Sequence, residues 1–397
     1  MPNLNPKRFS DPDILGRINP ESLVEWLAPA RAYLASRGVV VPESTAGGVV
    51  NLEALADVFM SPEPGMPTYL VDSLDLVNEM ADQHGMDAIL EAMHDTELPQ
   101  QVGDDPDPAD VAVRAWLLDK VVLEEIHVQH QLTRPRSCEY FTTDAEPVPP
   151  FEVPSDEALR ALEARLDNWY AEHKRGRGCK VRAFPKDGEC WFLVRHGLPC
   201  KRESVMDGDG TGSVFYRPQK HDVLAYNEER GEIRVNCCGV RELKEFLGAF
   251  GAYVFGREDF FPGDAKYQFA PLLTGRDCLA WGDVPGIESV TLREVEFFFG
   301  GKPWQRVTRT SEDIFTLVER ESLHWPDVDR ITRAGFEIKF GEKKTRRVTI
   351  IGANKAQYGR DDDSVKVEAW LKLRKFVRPP AEHQDDAEPE MATANGA

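Results

Sequence analysis

The chain has 397 residues, with 41 % hydrophobic and 29 % charged residues and a formal charge of −20. That length suggests two or three domains, each with its own core. The composition excludes a membrane-spanning bundle, a collagen-like fibre, a wholly disordered chain and a disulfide-stapled mini-protein. The first ten residues are polar and lack the apolar centre of a signal peptide, and the seven cysteines form no C-x-x-C pair, so reduced thiols in the cytosol are expected.

The charge is unevenly distributed. Residues 1–130 carry −16, residues 131–380 carry +1 and residues 381–397 carry −5. The acidity belongs to the two ends, and the middle is balanced.

The front of the chain reads as helical. Asn19 is a suitable N-cap, Pro20 suits the first helical position, and Leu23, Trp26, Leu27, Ala30 and Leu34 form one apolar face ending at Gly38; Pro29 kinks or splits this helix. Further helices are expected from Asn51, over 67–84, after Gly85 as a separator, and from Asp107-Pro108 to Leu132, the last apolar nearly all round. Residues 142–156 hold four prolines and read as an extended linker. A polar helix follows to about His173.

Beyond it the apolar period changes from 3.6 to 2. Hairpins are expected for 180–184 with 190–195, 222–226 with 232–237, 289–299 with 305–310 and 335–340 with 346–351. Helices are expected over 241–253, 312–321 and 364–376. The predicted class is α+β: an N-terminal all-helical domain followed by an α+β body of antiparallel β-hairpins with interspersed helices. The predicted divisions are an acidic helical domain 1–141, the linker 142–156, α+β subdomains 157–300 and 301–380, and a disordered acidic tail 381–397.

Several fragments suggest chemistry. Phe192-Leu193-Val194-Arg195-His196-Gly197 resembles the strand-then-Arg-His-Gly signature of the histidine-phosphatase family. The resemblance covers about six residues. It implies His196 as the nucleophile on phosphorus and Arg195 as a phosphate clamp, within a largely parallel sheet and with a second histidine, for which His221 and His324 are the later residues in the chain. Glu337-Ile338-Lys339 matches the E-x-K strand of metal nucleases, Asp327 and Asp329 being the nearby acids; cross-strand charge pairing explains the same residues. Asp207-Gly208-Asp209-Gly210-Thr211-Gly212 copies the first half of a calcium loop, yet Pro218 stands where a bidentate glutamate is required. The pairs Glu91/His94 and Glu124/His127 have the spacing of di-iron ligands without the additional glutamate helices. Cys179, Cys190, His196 and Cys200 fit no standard zinc spacing, and Asp361–Asp363 before a helix reads as dipole complementation. No metal and no cofactor is expected.

The strongest surface signal is basic. Lys174, Arg175, Arg177, Lys180 and Arg182 fall within nine residues, and Lys343, Lys344, Arg346 and Arg347 gather at a hairpin tip. Lys372, Arg374, Lys375 and Arg378 make a third cluster. Such loops are the electrostatic footprint expected for nucleic acid. The sequence therefore predicts a non-catalytic accessory or regulatory protein of the cytosol. Its basic loops contact nucleic acid, and its acidic helical domain docks a protein partner or masks those loops. The alternatives are a phosphohydrolase centred on Arg195/His196 and a metal-dependent nuclease centred on Glu337/Lys339.

Overall fold

A computed structural model describes residues 8–63, 65–133, 136–186, 188–207, 210–237, 239–322, 330–341, 344–360 and 363–379. These residues form two compact units: 8–133 with 173–176 and 197–220, and 136–172 with 177–196 and 221–379. The class is α+β, with a helical front and a body built on an antiparallel sheet. No helix among the described residues is long and apolar enough to cross a membrane.

The front unit contains α1 (Pro12–Leu15), α2 (Pro20–Leu27), α3 (Arg31–Ser36), α4 (Leu52–Met60), α5 (Thr68–Met80), α6 (Gln83–Ala92), α7 (Leu98–Val102), α8 (Pro108–Leu118) and α9 (Lys120–Thr133). Its starts are set by side-chain caps. Asn19 accepts from the N–H groups of Glu21 and Ser22, Asn51 from Ala54, Asp82 from Gly85 and Asp107 from Ala109. Pro29 converts residues 28–30 to a 3₁₀ turn and so divides α2 from α3. Trp26, Phe59, Leu70, Leu74, Val77, Ile89 and Val111 are buried in one core.

Two boundaries differ from the sequence expectation. The single helix expected to Leu132 breaks at Asp119, whose backbone is extended and whose carboxylate caps Val121 and Val122; apolar spacing continues through the break and conceals it. Gly85 is not a separator but lies in the first turn of α6. A Cβ there would stand 2.2 Å from the carbonyl oxygen of Met80, so glycine is what lets the end of α5 approach α6.

The second unit is organised on β1 (Ser137–Thr142), α10 (Asp156–Glu172), β2 (Lys180–Lys186), β3 (Glu189–Gly197), β6 (Gln219–Asn227), β7 (Glu232–Asn236), α11 (Val240–Val254), β8 (Ser289–Phe299), β9 (Gln305–Thr310), α12 (Ile314–Arg320), β10 (Ile331–Phe340), β11 (Lys344–Ile351), β12 (Lys355–Gln357) and α13 (Ser364–Leu373). β4 (Lys201–Asp207) and β5 (Gly210–Tyr216), between β3 and β6, form a separate two-stranded ribbon. The ten remaining strands make one sheet in the order β2-β3-β6-β7-β1-β12-β11-β10-β8-β9. This sheet runs through both segments, 157–300 and 301–380, that the sequence reading treats as subdomains. It also incorporates residues 137–142, of which 137–141 are assigned there to the end of the helical domain and 142 to the linker.

Strand alternation gives the sheet two cores on opposite faces. Leu162, Leu166 and Tyr170 of α10, with Phe246 and Phe250 of α11, cover Phe192, Val194, Leu224, Tyr226, Ile233 and Val235. Trp370 and Leu371 of α13, with Leu272 and Leu279, cover Leu292, Phe336, Ile338, Val348 and Ile350. β1 serves both: Cys138 and Tyr140 enter the second core and Phe141 the first. The proline-rich segment 142–156 is likewise engaged. Thr142 pairs with Gly263, and Phe151 packs 5.0 Å from Tyr226.

Replacing Gly85 with alanine is expected to cost the front unit about 1–3 kcal/mol, the scale of an overpacked site. The check is a lower urea midpoint followed by far-ultraviolet circular dichroism.

Candidate functional site

His196 lies near the end of β3, where Cys190, Phe192, Val194 and His196 alternate onto the face beneath α10 and α11. It is 3 % exposed. Asp222, on the adjacent strand β6, shares its face with Leu224 and Tyr226 and is fully buried. Glu242, in the first turn of α11, and Tyr170, near the end of α10, complete the group. The His196 Nε2 atom lies 2.9 Å from Asp222 Oδ2 and 3.7 Å from Glu242 Oε1. The Tyr170 ring stacks on the imidazole at 4.2 Å and its hydroxyl donates to Glu242 at 3.1 Å. Burial, followed by the charges of Glu242 and Asp222, pushes the Tyr170 phenol far above its ordinary range, so it remains a donor.

This cluster is the one group of His, Cys, Asp and Glu among the described residues whose ligand atoms lie within 4.8 Å of one another. One imidazole nitrogen and two carboxylate oxygens are a reasonable donor set for a divalent cation. They equally complete a hydrogen-bonded pair with a second carboxylate oriented by a phenol. A group this buried presents no reacting atom to solvent.

Arg195, adjacent in sequence, projects to the opposite, exposed side of the sheet, and its guanidinium lies 3.5 Å from the Gly178 carbonyl. Strand alternation therefore separates the two residues that a phosphate clamp would need together. The neighbours of His196 are also acidic, which disfavours an anionic substrate. Glu337 and Lys339 of β10 stand on the solvated face, paired with Arg293 at 3.7 Å and Glu288 at 3.3 Å. Asp327, Asp329 and His324 lie outside the described residues. His94 is exposed beside Asp95, and His127 pairs with Glu79 from another helix. Burial, then the carboxylates of Asp167 and Glu163, pushes the Cys179 thiol up to about 12, unlike a reactive or metal-binding thiolate.

The basic loops are largely matched within the fold. Arg177 binds Asp167 and Asn168, and Lys180 binds Glu163 at 3.0 Å. Asp167 also accepts the N–H groups of Gly178 and Cys179. Burial opposes ionisation of Asp167, but these N–H groups and Arg177 hold its carboxyl below the usual range. At the other hairpin, Lys344 binds Asp363, Arg346 is buried against Asp363 and the Gly359 carbonyl, and Arg347 binds Glu294; Lys343 lies outside the described residues. In the third cluster Arg374 pairs with Asp283. β2 and β11 stand six strand spacings apart, about 30 Å, so these loops do not form one patch. Arg182 is exposed, and Lys174 is exposed beside half-buried Arg175.

The structure adds a surface that the sequence reading missed. Residues 201–216, read as a flexible loop with half of a calcium motif, form the β4–β5 ribbon, with Asp207 opposite Gly210 at its tip. In this register Arg202, Ser204 and Met206 share a face with Thr211, Ser213 and Phe215. Met206 is 91 % and Phe215 68 % exposed. Arg202 donates to Ser213 at 2.6 Å and has no ion pair among the described residues. No acid among the described residues occupies that face. At its base the Arg217 guanidinium donates to the carbonyls of Lys174 and Leu198, tying the Lys174–Arg175 turn to the ribbon. Residues 173–220 contain eleven bases and five acids, a locally positive stretch in a chain of −20.

No protein-family model and no curated protein matches this chain.

Asp222→Ala removes one partner of a buried pair and is expected to cost about 3–5 kcal/mol, read as a lower midpoint of chemical unfolding. The depressed carboxyl of Asp167 contributes stability above the ordinary carboxylate pKa of about 3.9, and that contribution disappears as pH falls through its folded value. Asp167→Asn should therefore lower stability at neutral pH and flatten the acid limb of a urea-midpoint series.

Proposed function

We propose that this chain is a non-catalytic, nucleic-acid-associated accessory protein of the cytosol, with the β4–β5 ribbon and the adjoining Lys174–Arg175 turn as its contact. The observation that carries this reading is the make-up of one ribbon face, which among the described residues holds no acid: a guanidinium, three hydroxyls, an exposed thioether and an exposed aromatic ring. A two-stranded ribbon is narrow enough to enter a nucleic-acid groove, and exposed Phe and Met side chains are the kind that stack on bases or wedge between them. Lys201, Arg202 and Arg217, all exposed, supply cations for the phosphate backbone.

This reading shifts the weight of the sequence expectation. Of the basic segments, Lys174 and Arg175 adjoin the ribbon, whereas Lys344, Arg346 and Arg347 are committed to Asp363 and Glu294. The acidic front helices are a second surface, suited to a basic protein partner. Free thiols at the six described cysteines suit a reducing compartment. A catalytic role is less well supported, because His196 is sealed in a core and Glu337 and Lys339 are paired on a solvated sheet face.

Fluorescence anisotropy of the full chain with labelled single-stranded and duplex oligonucleotides tests the reading. Affinity should fall steeply between about 50 and 200 mM salt. Phe215→Ala should cost about 1–3 kcal/mol if the ring stacks on a base, and Arg202→Ala should lower the salt slope by about one. No binding to DNA or RNA at the lowest salt would overturn it. Phosphatase turnover that disappears in His196→Ala would favour an enzyme instead.

A further inference from the structure

The middle of the sheet contains a second buried polar centre, on the face opposite His196. Arg360, between β12 and α13, is 7 % exposed. Its guanidinium lies over the Tyr358 ring at 3.4 Å, and its Nη2 donates to the Tyr140 hydroxyl at 2.7 Å. Its Nε and Nη1 atoms are buried without an acceptor, and no carboxylate among the described residues lies within ion-pair distance. A buried donor without an acceptor is destabilising, the more so when it carries charge.

The surrounding charges sharpen this anomaly, because each has its own counterpart. Lys266 binds Glu232 at 2.7 Å, Arg234 binds Glu189 through two parallel bonds of 2.8 and 2.7 Å, and Arg230 faces Glu368 at 4.0 Å. Glu368 also accepts the Tyr358 hydroxyl at 3.1 Å. Burial opposes ionisation of Glu368, but the charges of Lys266, Arg234 and Arg360 hold its carboxyl below the usual range; Arg360 senses this carboxylate without bonding to it and keeps two buried nitrogens without an acceptor.

We propose that Arg360, positioned by the Tyr140 hydroxyl, binds a small oxyanion, the carboxylate or phosphate group of a small molecule. The geometry of the fork supports this chemistry. A guanidinium offers five N–H bonds on two edges, each edge matching two oxygens of a carboxylate or phosphate. One bond to Tyr140 uses a single hydrogen of Nη2 and leaves one edge complete. Tyr140, which accepts from Arg360 and stands 3.5 Å from the Tyr358 hydroxyl, holds the fork in place. Burial, with the neighbouring phenols adding to it, holds Tyr267 and Tyr358 well above their ordinary pKa, so the surrounding rings are neutral and add no competing negative charge. An anion here would satisfy the guanidinium and join β1 to the segment entering α13. This site is separate from the ribbon in residues and in role.

The test is equilibrium binding of inorganic phosphate and of acetate to the full chain at constant ionic strength, followed by calorimetry and by thermal shift, with chloride as control. Saturable binding of one or both is expected. Arg360→Lys, which keeps the charge but removes the fork, should weaken it at least tenfold, Tyr140→Phe about threefold to tenfold, and Arg202→Ala on the ribbon should leave it unchanged. Phosphate alone would indicate a phosphoryl ligand and acetate alone a carboxylate ligand. No saturable binding of either at about 10 mM, well above a millimolar Kd, would overturn the proposal. Binding that survives intact in Arg360→Lys would overturn it too. If Arg360→Lys does not fold, Tyr140→Phe against Arg202→Ala makes the same discrimination: loss in the first with retention in the second supports the site, and the reverse rejects it.

Discussion

The body of this protein depends on a six-residue strand paired on both sides. β1 takes its hydrogen bonds from β7 along one edge and from β12 along the other, so removing it would leave two shorter sheets with unpaired inner edges. Its alternation also decides where each side goes. Cys138 and Tyr140 project into the core under α13, and Phe141 projects into the core under α10 and α11. One strand therefore provides the continuity of the sheet and places the helices of its two parts on opposite faces.

That arrangement explains why the polar groups of the body fall into two separate centres. Each face must bury its helices, and any polar side chain on an inward phase of a strand is carried into the core with the apolar ones. His196 and Asp222 are inward on adjacent strands, so they meet, and the first turn of α11 brings Glu242 to them. Tyr140 is inward on the other face, directly opposite Arg234 in the β1–β7 register, and its hydroxyl receives Arg360. Low dielectric makes a matched group strong and an unmatched one costly. The first centre is gathered around a histidine–aspartate hydrogen bond and a stacked tyrosine, and the second retains a guanidinium with unused donors.

The ribbon follows different physics. An isolated pair of strands buries little and is marginal in water. Its exposed methionine and phenylalanine contribute nothing to a core, which makes them informative about contacts with something else. The wider basic character of the body is mostly internal bookkeeping: carboxylates such as Asp167, Glu163, Glu294 and Asp363 are positioned to neutralise most of the loops that look open in one dimension.

Local signals were legible in the amino-acid order. Asn19-Pro20, Asn51 and Asp107-Pro108 start helices, Pro29 divides one, and the period-2 runs on either side of Gly188, Gly231, Gly301 and Gly341 form hairpins, because caps, proline and alternation act through immediate neighbours. Asp222 and Glu242 also left a readable trace, as acids on the inward phase of a strand and of a helix, in step with Leu224 and Phe246. Other features needed contacts distant in sequence. Ser137–Thr142 is too short and mixed to announce itself as a strand, and its partners lie nearly 100 and more than 200 residues away. The break at Asp119 hides in continuous apolar spacing. The pairing of Arg347 with Glu294, the separation of Arg195 from His196 across a sheet and the burial of Arg360 with unused donors depend on strand order and register, which nearest neighbours do not specify. Sequence alone determined the class and most element positions, since those are local free energies; tertiary structure alone decided which charges are matched, because that is a property of distance in space.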